Sequence, residues 1–126
     1  MTGSPRKYLQ VFVEDTDTWD GGPLYEAIVL MLEKRGIAGA TVWNGIMGYG
    51  ASRQVHRRGL FGDERPVIIT VIDSDETIRA VLPQLLAMVK EGLVVVLDAE
   101  VFVKSAKEPS ANSRQPRRAG NPSEAQ

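Results

Sequence analysis

The sequence predicts an α+β domain: a ferredoxin-like βαββαβ sandwich with two helices on one face of a four-stranded antiparallel sheet. Three observations predict it. Four stretches are dense in Val, Ile, Leu and aromatic residues, as strands are. Two others carry apolar residues at helical spacing. The six follow one another as strand, helix, strand, strand, helix, strand, and 126 residues suffice for one such unit.

The elements are justified in turn. Tyr8–Glu14 (YLQVFVE) is the first strand, and DTDTWDGG after it supplies turn chemistry. Gly22 is the expected N-cap of the first helix, with Pro23 in the first helical position, where no backbone donor is needed. Leu24, Ile28 and Leu32 form the helix's apolar stripe, and Gly36 stops it. Ala40–Met47 (ATVWNGIM) is the second strand and Pro66–Asp73 (PVIITVID) the third. Asp73 or Ser74 caps a second helix, Asp75–Lys90, whose stripe is Ile78, Val81, Leu82, Leu85 and Val89. Pro83 inside it is expected to kink or divide it. Gly92 ends that helix, and Leu93–Val103 is the last strand.

Residues 1–6 are set apart as a flexible N-terminus, 7–103 as the folded domain, and 104–126 as a disordered basic tail. The tail, KSAKEPSANSRQPRRAGNPSEAQ, has almost no large apolar side chain with which to offset chain entropy. Charge divides along the same line. Residues 1–103 hold 10 Lys/Arg and 14 Asp/Glu, net −4, while 104–126 hold 5 and 2, net +3. Five scattered cations support no more than a salt-sensitive contact, so nucleic acid is not an expected partner. Cysteine is absent, which removes disulfides, thiolate metal sites and cysteine nucleophiles. The single histidine, His56, excludes any site built on two imidazoles. The N-terminal MTGSPRKYLQ lacks the charged-then-apolar order of a secretion signal, so the expected location is cytoplasmic.

Two helices cover one face of a sheet, yet both faces are apolar here. Val67, Ile69 and Val71 alternate with Ile68 and Ile72. Leu9, Val11 and Val13 alternate with Tyr8 and Phe12, and Val94, Val96 and Phe102 with Val95, Leu97 and Val101. Leaving seven such side chains wet would forfeit on the order of 10 kcal/mol, comparable with a domain's whole stability. A homo-oligomer with sheets packed on one another is therefore expected.

The segment 44–65, NGIMGYGASRQVHRRGLFGDER, joins glycines at a strand end to Arg53, Arg57, Arg58 and Arg65. Glycine lets backbone approach a ligand closely, and arginine pairs with phosphate or carboxylate, so the pattern suits a small anion. The same residues also read as an extended hairpin, since Val55, Arg57, Gly59 and Phe61 alternate with His56, Arg58 and Leu60. Imidazole ordinarily titrates near neutrality, so the residue type at His56 suits pH sensing or proton acceptance as well as a surface or hydrogen-bonded role. The acidic loop of Asp15, Asp17 and Asp20 lacks the sixth-position glycine of a calcium loop, where Asp20 stands, and reads as solvated loop or helix N-terminal charge. Trp19 within it is either an anchor for a partner or packed on its own helix. Glu14, Asp73 and Asp98 are the carboxylates an enzyme of this sequence could use.

Three stretches, GGPLYEAIVLMLEKRGIAGATVWNGIMGYGAS, PVIITVIDSDETIRAVLPQLLAMV and GLVVVLDAEV, resemble a PII-like family, the bacterial and archaeal domain of unknown function numbered 190. The resemblance spans nearly all of residues 7–103, Pro83 included. It implies a homotrimer, as in PII and CutA proteins, with adenine nucleotides held in clefts between subunits and a signalling loop between the second and third strands. It places ligand candidates at Gly48, Gly50, Arg53 and Gln54, with Tyr49, Ser52, His56 and Arg58 along the same stretch. PII proteins carry a second glycine-rich loop with a phosphate-binding lysine before the last strand; here only Lys90-Glu91-Gly92-Leu93 stands there, a shorter loop in which Lys90 is the candidate. The family's association with fluoride-exporter genes implies a membrane transporter or ion exporter as docking partner. The expected function is a non-enzymatic sensor of a small anionic ligand, an adenine nucleotide, signalling through residues 51–65 with no cofactor beyond that ligand. The alternatives are a CutA-like divalent-metal tolerance protein and a small enzyme.

Overall fold

The computed structural model describes residues 3–49 and 65–105. The elements are β1 (Ser4–Glu14), β2 (Thr18–Trp19), β3 (Gly22–Pro23), α1 (Leu24–Lys34), β4 (Ala40–Asn44), β5 (Pro66–Asp73), α2 (Asp75–Met88) and β6 (Leu93–Val101). Four strands form one antiparallel sheet in the order β4-β5-β1-β6, and β2 pairs with β3 in a small hairpin beside it. With the hairpin set aside, this is the expected ferredoxin-like βαββαβ arrangement, with α1 and α2 on one face.

The core lies between that face and the helices. Leu9, Val11 and Val13 of β1 and Val67, Ile69 and Val71 of β5 are buried against Leu24, Ile28, Met31 and Leu32 of α1 and Ile78, Val81, Leu85 and Met88 of α2. Strand alternation and helical spacing thus put the predicted residues in one layer.

Several boundaries differ from the sequence reading. β1 begins at Ser4, because Ser4 to Lys7 pair with Val101 to Asp98 of β6; the ladder reaches into the stretch set apart as flexible. Gly22 and Pro23 belong to the hairpin, and Pro23 occupies the N-cap of α1. The Asp20–Gly21 turn, with φ of 54° and 88°, closes that hairpin. β4 stops at Asn44, short of Met47, and β6 at Val101, short of Val103. Ser74 caps α2, its hydroxyl accepting from the Thr77 amide at 3.1 Å.

Pro83 does not divide α2, which runs as one helix from Asp75 to Met88. Pro83 is exposed, so its ring faces solvent. Arg35, just past α1, reaches across to α2 and donates to the Gln84 side chain at 2.6 Å and the Ala80 carbonyl at 3.1 Å. The helix is thereby held on both sides of the proline. Gly92 has a φ of +153°, and a Cβ there would lie 2.2 Å from the Phe12 carbonyl oxygen; only glycine lets β6 start against β1 at this point.

Candidate functional site

One end of the sheet carries Gly48, Tyr49 and Lys90, the ligand candidates that fall within the described residues. β1 and β4 finish there, β5 and β6 begin there, α1 starts there and α2 ends there. The chain leaves β4 through Gly45, Ile46, Met47, Gly48 and Tyr49 and returns at Arg65. Both stems are tied down. The Gly45 amide donates to the Pro66 carbonyl at 2.7 Å, the Asp15 amide to the Arg65 carbonyl at 3.0 Å, and the Arg65 amide to Asp15 Oδ1 at 3.1 Å.

The acidic loop therefore has a structural role. Asp15 fixes Arg65, and Asp17 turns back so that its Oδ2 accepts from the Glu14 amide at 3.0 Å. The Asp17 carbonyl accepts from the Leu24 amide at 2.8 Å, which anchors the start of α1. Among the described residues no group of three or more His, Asp or Glu side chains is placed to hold a metal ion.

The glycines at the β4 exit are not equivalent. A Cβ at Gly45 would lie 2.5 Å from Pro66 Cγ, so packing alone requires glycine there. A Cβ at Gly48 would meet Pro66 Cγ at 3.5 Å, an ordinary contact. The bare backbone at Gly48 is therefore not demanded by its described neighbours. Ile46, Met47 and Tyr49 beside it are 90%, 75% and 69% exposed.

Lys90 stands at the same end, exposed in the turn between α2 and β6. It is at the opposite edge, however. β4 and β6 are the outer strands, three strand spacings apart, or about 14 Å. One copy of the chain thus puts Gly48 and Tyr49 on one flank and Lys90 on the other, without joining them. Gly50, Ser52, Arg53, Gln54, His56 and Arg58 lie outside the described residues.

The carboxylates considered for an enzyme are also apart. Asp73 and Asp98 flank Lys7 in register, on β5 and β6, whereas Glu14 is seven residues further along β1, about 23 Å away. Each of the two has a structural partner. Asp73 accepts from the Ala38 and Ser74 amides at 3.0 and 2.8 Å. Asp98 accepts from Lys7, which holds its carboxyl below the usual carboxylate range.

The face of the sheet away from the helices is where the sequence reading was least complete. The register aligns Trp43, Ile68, Phe12 and Leu93 in one row across all four strands. A second row aligns Ile72, Tyr8 and Leu97, and between the two runs a third of Thr41, Thr70, Gln10 and Val95. Trp43 is 55% exposed and Leu97 53%, and the Trp43 indole donates to Thr70 Oγ1 at 3.0 Å across the rows. Leu93 shares a side with Val95 and Leu97 by strand alternation and was overlooked, while Trp43 joins this face through the register that pairs it with Ile68. No helix among the described residues is long and apolar enough to cross a membrane.

Comparison with known proteins agrees with this geometry. The family described as DUF190, uncharacterized ACR, matches residues 6–101. A UPF0166 protein of Methanocaldococcus jannaschii is 37% identical over 99 residues, covering 76% of this chain and 91% of the relative. A UPF0166 protein of Aquifex aeolicus is 31% identical over 99 residues, covering 77% and 93%. CPII, a nitrogen regulatory PII-like protein from Thiomonas intermedia K12 solved with ADP, AMP and bicarbonate, superposes with a TM-score of 0.59 at 19% identity, covering 81% of this chain and 100% of that one. Its apo form superposes with a TM-score of 0.54 at 19% identity, covering 78% and 92%. The fold is therefore PII-like, and with residues 6–101 matched the chain belongs to the DUF190 family.

Proposed function

We propose that this chain is a cytoplasmic, non-enzymatic sensor of the PII-like kind, assembled as a homotrimer. It binds a small anionic ligand, an adenine nucleotide, between subunits. The observation that carries the reading is the split site: Gly48 and Tyr49 on one flank of the sheet end, Lys90 on the other. A cyclic arrangement sets the β4 flank of one copy beside the β6 flank of the next and closes the gap that one copy leaves open. The exposed rows on the open sheet face supply the driving force, since covering Trp43, Ile72, Leu93 and Leu97 removes apolar surface from water. The nucleotides held by CPII, a protein of the same fold, support the choice of ligand.

In this reading Arg53, Gln54 and Arg58 meet the phosphates, Gly50 and Ser52 let backbone approach them, and His56 lies alongside. Ligand binding favours one arrangement of residues 51–65, and the docking partner, a membrane transporter or ion exporter, reads that arrangement. Titration calorimetry of the purified chain against ATP, ADP, AMP and cyclic AMP, with sedimentation of the same sample, tests the reading. The expected result is a trimer that binds at least one nucleotide, with affinity reduced about tenfold or more in Arg53→Ala and Lys90→Ala. A single subunit in sedimentation, or no heat with any nucleotide, overturns it.

A further inference from the structure

The outer, helical layer contains a slot between α1 and α2 of about 450 Å³, which is in the size range of small-molecule sites. Ala27, Leu30, Met31 and Met88 line it with apolar surface, and Trp19 overhangs it from the β2–β3 hairpin. The slot is open to solvent, bordered at one end by Trp19 and Asp20 of the hairpin and at the other by the Arg35 guanidinium, bonded across to Gln84 and Ala80. Between Ala27 and Lys34 the open length is seven helical residues, about 10 Å. A molecule of one or two rings matches that length and volume.

The charges at the two ends differ. Lys34 has no ion-pair partner among the described residues, and Arg35 spends only part of its five donors on α2. Asp20 borders the opposite end. An anion is drawn to the Lys34 end and repelled from the hairpin end, so the slot has a polarity. Trp19, Leu30 and the exposed Leu86 also lie on the helical side, away from the sheet face that self-assembly would cover. Their exposure is not explained by that assembly. Methionine lines the floor at Met31 and Met88, and its flexible thioether adapts to varied apolar shapes.

From these observations we infer a second ligand site, in the slot between α1, α2 and the β2–β3 hairpin, for a small carboxylate with an aromatic or aliphatic body. Its body lies between Trp19 and the two methionines, and its carboxylate faces Lys34 and Arg35. The site is separate from the split nucleotide site and stands or falls independently of it.

The test uses the full chain and 3-phenylpropanoate as probe, with 3-phenylpropanol as its neutral match, read by tryptophan fluorescence. The chain has two tryptophans, Trp19 and Trp43. The expected result is a saturable response with a Kd on the order of 1 mM that persists in Trp43→Phe and vanishes in Trp19→Phe. Ala27→Phe, which fills the slot, and the surface change Leu30→Glu each weaken binding about tenfold. Lys34→Glu weakens the acid but not the alcohol, by a modest factor of about five, because the carbonyl end of α1 already opposes an anion there. No saturable response up to about 10 mM overturns the proposal, as does equal binding of acid and alcohol or an unchanged response in both Ala27→Phe and Leu30→Glu. Nucleotide titration of the Leu30→Glu protein separates the two sites: it is expected to be unchanged.

Discussion

The two faces of the central sheet are built from the same strands and meet opposite fates. On the helix-covered face Val11, Ile69 and their neighbours are sealed, each almost wholly removed from water. On the other face the row of Trp43, Ile68, Phe12 and Leu93 is equally apolar, but Trp43 and Leu93 at its ends are exposed and Ile68 and Phe12 between them only half-buried. The first face is covered by the chain's own helices; nothing in the single copy covers the second. The difference shows that an apolar strand pattern does not by itself tell which face its own chain will bury, and the proposed homotrimer is what would cover the open one.

The sharpest way to break this comparison is with two adjacent residues. Ile69→Ala, in the sealed face, is expected to cost about 2–5 kcal/mol in denaturant unfolding, independently of protein concentration. In the proposed homotrimer Ile68→Ala, one residue away on the open face, removes a contact between copies, and its cost should instead grow with protein concentration. Equal concentration dependence for the two would erase the distinction. Next in size is Leu97→Glu, whose charge on the open face should shift the sedimenting species to a single subunit while the circular dichroism of the fold is kept.

A smaller effect is expected where the two faces are joined at the start of β6. Gly92→Ala places a methyl against the Phe12 carbonyl and should lower stability by about 1–3 kcal/mol. Ser74→Ala removes the cap of α2, which helps to seal the first face, and should cost about 1 kcal/mol in thermal unfolding. The smallest is Asp98→Asn. Lys7 lowers the Asp98 pKa in the folded state, so the pair stabilises the fold above the unfolded carboxylate value and loses that stabilisation as pH falls through the folded value. The Tm gap between wild type and Asp98→Asn should therefore be small near neutrality and close in acid.

Much of this was legible in the chain. β5 has its expected boundaries, and Leu24, Ile28, Leu32, Ile78, Val81 and Leu85 of the two stripes are buried as their spacing requires, whereas Leu82 and Val89 are only partly buried and Val89 lies just past the helix, which ends at Met88 and not at Lys90. The misplaced ends have local causes. β1 extends to Ser4 because β6 is long enough to pair with it, and that length is a property of the partner strand. The DG turn was recognised as turn chemistry, yet the two-residue strands on either side, Thr18–Trp19 and Gly22–Pro23, are too short to leave a pattern. Pro83 was expected to kink or divide α2; the helix is not divided, and Arg35, just past α1, bonds it at Ala80 and Gln84 on either side of the proline. For the site, the sequence named Gly48, Tyr49 and Lys90, but their placement on opposite edges follows from the order β4-β5-β1-β6.

The sequence by itself determined which residues are apolar, at what period they recur and where glycine and proline interrupt them. Those are local properties, and from them come the elements, the two-faced sheet and the family resemblance. The tertiary structure alone decided which strands are neighbours, and with them the rows of the open face, the flanks of the split site and the slot between the helices. Strand order and register depend on contacts between residues far apart in the chain, and no window of sequence contains them.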